Sequence, residues 1–232
     1  FHIPFCTKKC PYCNFYVLPD DENLKTLLSK GFELEWEQTV SQFTGSRIAT
    51  IYFGGGTPSL FGPSRIATVL DRIRNSVPFL SEKIEITLEA NPEHLTPSLA
   101  ADYAAAGINR MSLGVQSLSS DLLHILGRKH TPAKAIEAIE SVYTSGIDNI
   151  SIDLMYDLPD QGLAEWRRTL KTACSLPIRH LSLYNLTFEP HTLFFKQAAA
   201  LKPRLPDQEI SAAMYQDAMD ILKEYYGFDE PL

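Results

Sequence analysis

With 232 residues, 44% of them hydrophobic and 21% charged, the chain can bury one sizeable core, and α/β barrels of this length form single domains. A formal net charge of −7 argues against a nucleic-acid backbone as the main partner, because that binding needs a basic face. No run approaches the roughly 18 apolar residues of a membrane span. Four cysteines, three of them clustered, do not make a disulfide framework and suit a reducing compartment, so a cytoplasmic address is expected.

In chain order, short β-rich runs alternate with helical patterns. FHIPF (1–5) reads as a strand already under way and leads into FCTKKCPYCNF (5–15), which carries Cys6, Cys10 and Cys13. A helical pattern over 23–40 follows, with Phe32, Trp36 and Phe43 read as core packing. ATIYFGGG (49–56) ends on the run Gly54-Gly55-Gly56-Thr57-Pro58 before a helix over 63–77. IEITLEAN (84–91), RMSLGVQ (110–116), NISIDLMY (149–156) and HLSLYNLT (180–187) are the remaining strands, separated by helices over 96–107, 131–146 and 163–174. Thr96-Pro97 and Thr131-Pro132 supply N-cap residues with proline at the first helical position, and Gly107 and Gly146 sit where helices stop.

Strands that alternate with helices are expected to be parallel, so the fold class is α/β, either a partial (β/α)6 barrel or an open sheet. No low-complexity linker breaks residues 1–200, which read as one core. Residues 201–232 contain a further amphipathic helix leading toward a C-terminal part outside the sequence, and the chain reads as a piece of a longer protein at both ends.

Chemistry in such barrels collects where strands end at their C-terminal side. One mouth should therefore gather the three cysteines, the glycine run, Glu89, Gln116 and Asp153. Three thiolates on one loop suit a [4Fe–4S] cluster with one open iron, or zinc with a fourth ligand, and His2 is poorly placed to be that ligand. GGGTP is no phosphate loop, and three glycines imply close approach of a backbone to something. Glu89 and Asp153 face away from their apolar strand neighbours, toward a ligand or an ion-pair partner such as Arg128. Cys174 reads as a small buried hydrophobe. His94, His124, His130, His180 and His191 show no metal spacing and receive no role.

The pattern CxxxCxxC at Cys6, Cys10 and Cys13 resembles the signature of the radical S-adenosylmethionine (SAM) superfamily. HIPFC, CPYCNF, YFGGGTPS, LEANPE, SLGVQS, LGRKH, SIDLMYDLP and YNLTFEPHT together resemble the oxygen-independent coproporphyrinogen III oxidase-like family. The resemblance implies a partial (β/α)6 TIM-like barrel whose three cysteines each ligate one iron of a [4Fe–4S] cluster while SAM chelates the fourth. It implies SAM contacts at Gly55, Gly56, Thr57, Glu89, Gln116, Arg128 and Asp153, with Arg128 suited to a carboxylate and Gln116 and Asp153 to ribose hydroxyls. It further implies electron transfer into SAM from a reductant, giving a 5′-deoxyadenosyl radical.

Two departures favour the HemW-like branch, which is regarded as a haem-binding chaperone, over the oxidase branch, which decarboxylates porphyrinogen propionates. Phe15 stands where the oxidase pattern has a further cysteine, and YNLTFEPHT is similar to the HemW-like form. Haem or a porphyrin is then the implied cargo and a haem-acceptor protein the implied partner. Porphyrinogen decarboxylation stands as the enzyme alternative to the chaperone reading, and the fold is compatible with SAM cleavage on either. Asp157 and Asp160 occupy a loop in which the family usually has glycines.

Overall fold

Strand alternation decides what each face of the sheet meets. In Glu85–Ala90, Ile86, Leu88 and Ala90 are buried in the main core, while Glu85, Thr87 and Glu89 point the other way. The same rule sends Ile51 and Phe53, Met111, Leu113 and Val115, and Ile150, Ile152 and Leu154 into that core. Helical residues such as Ile66, Leu70, Tyr103, Ile139 and Trp166 belong to the same core, so the apolar face of the sheet packs on helices.

The computed structural model describes residues 1–81 and 84–226. Six strands form the main sheet: β1 (His2–Ile3), β2 (Thr50–Gly55), β3 (Glu85–Ala90), β4 (Arg110–Gln116), β5 (Asn149–Tyr156) and β6 (His180–Asn185). They lie in sequence order, and every neighbouring pair is parallel. An order that never reverses winds the chain in one direction, which keeps the crossover helices on one face and curls the sheet. The expected partial (β/α)6 barrel is the observed architecture.

The sheet's other face is polar and turns inward. Tyr52, Glu89, Ser112 and Asp153 meet there in pairs, with Tyr52 Oη donating to Glu89 at 2.7 Å and Ser112 Oγ to Asp153 at 3.4 Å. Lower in the barrel, Ser151 bonds His180 at 2.8 Å.

The helices follow the sequence punctuation: α1 (Glu22–Thr39), α2 (Pro63–Ser76), α3 (Pro97–Ala106), α4 (Ser120–Ile125), α5 (Pro132–Thr144), α6 (Leu163–Cys174) and α7 (Gln208–Tyr226). Thr96 and Thr131 cap α3 and α5 through their hydroxyls, and Gly107 ends α3 in the left-handed region at φ 106°. The one-turn-and-a-half helix α4 escapes a sequence reading because it is too short to show a period. The anticipated strand 1–5 is interrupted at Pro4: Phe5–Cys6 leaves β1 and pairs instead with Leu18–Pro19. Phe32 contacts Phe1 and Phe61 edge-on and Trp36 stacks on Phe43, as core packing requires, although Phe43 stays partly exposed. Cys174 is half-buried against the core. The expected end of the last helix at Gly227 and Phe228 lies outside the described residues.

Asp157 and Asp160 both adopt positive φ, 58° and 63°. The loop therefore has the left-handed backbone that glycines would supply, with aspartate, one of the residues that tolerates it. Each side chain is anchored: Asp157 by Asn185 and by Ser211 Oγ at 2.6 Å, Asp160 by Arg204.

Among the described residues no helix is long and apolar enough to cross a membrane. Helix α7 is fastened to α6 by fully buried Trp166, whose Nε1 donates to the Met214 carbonyl at 2.7 Å, and by Arg167 bonding both oxygens of Asp217. Truncation of Trp166 to alanine leaves a cavity and an unpaired carbonyl, so W166A should lower the unfolding free energy by about 3–5 kcal/mol. R167A, at an exposed pair, should leave the urea midpoint nearly unchanged; paired urea titrations check both.

Candidate functional site

The cysteine loop hangs from the glycine run. Gly56 N–H donates to the Ile3 carbonyl at 3.0 Å and Thr57 N–H to the Phe5 carbonyl at 2.7 Å. This contact explains the glycines. A Cβ on Gly55 would lie 2.8 Å from Ile3 O, and one on Gly56 would lie 2.8 Å from Phe5 O and 2.9 Å from the Pro4 main chain. Gly55 also has φ 133°, which L side chains avoid. The backbone that the run admits so closely is the chain's own first strand.

Thr57 then joins three elements. Its Oγ1 lies 3.4 Å from Cys6 Sγ and accepts from Asn91 Nδ2 at 3.0 Å. Asn91 Oδ1 accepts from Arg128 Nη2 at 2.7 Å, and the same nitrogen donates to the Gly114 carbonyl at 2.6 Å. Arg128 Nη1 lies 3.7 Å from Cys10 Sγ. The guanidinium is almost completely buried, and its Nε has no partner. Its acidic neighbour is Glu93, at 3.8 Å, so the ion pair anticipated between Arg128 and Glu89 or Asp153 is not the one formed. Burial opposes ionisation of Glu93, but a His130 hydrogen bond and the Arg128 charge outweigh it and bring its carboxyl down to about 2.

Glu89 instead accepts from Gly55 N–H at 3.0 Å and from Tyr52, which ties the glycine run to the barrel's inner face. Asp153 sits deeper on that face. Burial raises its carboxyl to about 6, against hydrogen bonds from Ser182 and Ser112 that favour the charged form, with Glu89 adding repulsion. Gln116 ends β4 at φ 67°, with Ser117 N–H closing back to the Val115 carbonyl at 2.8 Å, a γ-turn that aims the strand end at the mouth. Cys6 and Cys13 are half-buried, and burial pushes both thiols up. Tyr12, between them, is half-buried against Phe194, and the Phe194 N–H donates to the Pro11 carbonyl at 3.0 Å.

Among the described residues no three His, Cys, Asp or Glu side chains converge as they would around a single ion, so zinc has no preformed site. Residues 1–173 match the family model described as the radical SAM superfamily. The chain belongs to the radical SAM superfamily. Its cofactors are accordingly a [4Fe–4S] cluster and SAM, and the mouth suits them: three soft thiols on one loop, and a buried guanidinium beside them.

Within the superfamily, the chain is 39% identical to the mitochondrial radical S-adenosyl methionine domain-containing protein 1 of Danio rerio, over 96% of this chain and 50% of that protein. It is 38% identical to heme chaperone HemW of Escherichia coli K12, over 95% of this chain and 57% of that protein. The fold matches coproporphyrinogen III oxidase (HemN) from Escherichia coli with a TM-score of 0.87 at 24% identity, covering 97% of this chain and 51% of that one. The chain thus spans about half the length of the curated relatives it matches.

Asn91, Glu93, Tyr12 and His130 are the members of this mouth that a sequence reading does not single out. Their roles rest on hydrogen bonds between elements, which leave no periodicity, although all lie inside the quoted motifs.

Two outcomes test the site's physics. G56A forces main chain to move, and should cost about 1–3 kcal/mol in a thermal or urea melt. Asp153 has a folded-state pKa raised above its unfolded one, so its contribution to stability falls as pH rises from about 4 to about 6. D153N should flatten that part of the stability-versus-pH curve and stabilise the apoprotein at pH 7, as read by urea unfolding at several pH values.

Proposed function

We propose that the chain is the cofactor-holding part of a haem chaperone. Cys6, Cys10 and Cys13 each ligate one iron of the cluster, and SAM occupies the mouth beside them. Gly55, Gly56 and Thr57 border its methionine end, the Arg128 guanidinium meets its carboxylate, and Glu89, Gln116 and Asp153 complete its contacts, the last two toward ribose hydroxyls. When bound, the two cofactors supply one-electron reductive cleavage of SAM. The protein's own part is to hold three thiolates on one loop, keep a cation buried beside them and exclude water.

The observation that carries the chaperone reading is 38% identity, over 95% of the chain, to a protein named heme chaperone. The oxidase match, at 24% identity, speaks for the fold. Phe15 adds support: it stands where the oxidase pattern has a further cysteine, and its ring is 68% exposed at the end of the loop, held there by Lys9 Nζ on its carbonyl at 2.9 Å. The cargo is haem or a related porphyrin, passed to an acceptor protein, and the cluster takes its electron from a separate donor. The compartment is a reducing one, cytoplasmic in our reading.

Anaerobic reconstitution of the protein should give a brown species with about four irons per chain, lost in C6A, C10A or C13A. Hemin titration of the protein should show a saturable spectral shift, and coproporphyrinogen III under strict anaerobiosis should not turn over. A flat hemin titration, or porphyrin product, overturns the chaperone reading.

A further inference from the structure

His130 stands behind the mouth with its side chain fully buried, and both its ring nitrogens are engaged. Nδ1 lies 3.2 Å from Glu93 Oε2 and Nε2 lies 3.0 Å from the Val115 carbonyl. A main-chain carbonyl only accepts, so Nε2 donates there while Nδ1 faces the Glu93 carboxylate. The two acceptors belong to different parts of the mouth. Glu93 faces Arg128 Nη2, and Val115 is the residue whose carbonyl closes the γ-turn around Gln116. One imidazole therefore touches the supports of two residues that sequence motifs assign to SAM.

We propose that His130 and Glu93 are positioning residues that hold Arg128 and Gln116 in mutual register for SAM. The backbone at Gln116 has positive φ without being glycine, a conformation that persists only when its surroundings over-determine it. His130 supplies such a constraint from behind, by adding a second hydrogen bond to Val115 O. Arg128 has a parallel need. Its Nη2 is fixed by Asn91 and Gly114, and its Nη1 faces the Cys10 sulfur. Glu93 adds the opposite charge that keeps a buried guanidinium in that pose while leaving Nε unbonded. Neither His130 nor Glu93 needs to touch SAM. Their effect passes through the two side chains they hold.

The inference rests on the proposed SAM site, and SAM affinity of the cluster-loaded protein, measured by equilibrium dialysis, tests the two separately. If the wild-type holoprotein binds no SAM, the proposed site itself fails, and the positioning role with it. If the wild type binds, E93Q and H130A should each weaken SAM roughly tenfold or more, the scale for partners that orient a binding side chain. Iron content should stay at the wild-type level. H130Q, whose amide can still donate to Val115 O, should recover part of the loss. The double variant E93Q/R128M should lose less affinity than the two single losses combined, because part of the Glu93 effect passes through Arg128. A purely structural role would lower the melting temperature but leave SAM affinity within twofold, and that result overturns the proposal. So does full additivity in the double variant. Should H130A fail to fold, the shape-conserving E93Q and its double variant decide the matter.

Discussion

The carbonyls of Ile3 and Phe5 receive the N–H groups of Gly56 and Thr57, and the rest of the mouth depends on that contact. It fixes the first strand against the second at the point where the first runs out into the cysteine loop. Two main chains meet closely enough that no Cβ fits between them on Gly55 or Gly56. The three thiols on the loop that leaves the first strand are thereby held over the barrel end. From the same place Thr57 reaches both Cys6 and Asn91, so the glycine run serves as a platform as well as a close approach.

From Thr57 a continuous polar chain runs through Asn91 to Arg128, then through Glu93 to His130 and back to the end of β4. Such a chain is worth having inside a protein only when nearly every member is satisfied, because each unpaired group in a low-dielectric setting is costly. Among the members of this chain the exception is Arg128 Nε, which is buried without a partner. The guanidinium is held rigidly beside the thiol loop, with Nη1 3.7 Å from Cys10 Sγ, and a fixed cation there complements a carboxylate-bearing ligand.

The departures from the family pattern behave differently from one another. Asp157 and Asp160 change the residue but keep the backbone, because aspartate can adopt the left-handed conformation and each side chain finds hydrogen-bonding partners. Phe15 changes the chemistry: it removes a thiol and places an exposed aromatic ring at the end of the cluster loop. The first kind of change preserves a fold, and the second separates one member of a family from another.

The sequence by itself determined the strand and helix rhythm and the parallel order of the strands, and it put the thiols, the glycines, Glu89, Gln116 and Asp153 at strand ends, to which the family resemblance added Arg128. These were legible because alternation with period two, capping residues and motif spacing are local properties of the chain. The short helix α4 and the break at Pro4 were not, since neither leaves a periodic trace. Only the tertiary structure decided which carboxylate meets Arg128, what the glycines admit, and that His130, which shows no motif of its own, ties Glu93 to β4. The physical reason is the same in each case. Pairing between residues far apart in the chain is set by how β1, β2, β3 and β4 stack side by side, and spacing along the chain carries no record of it.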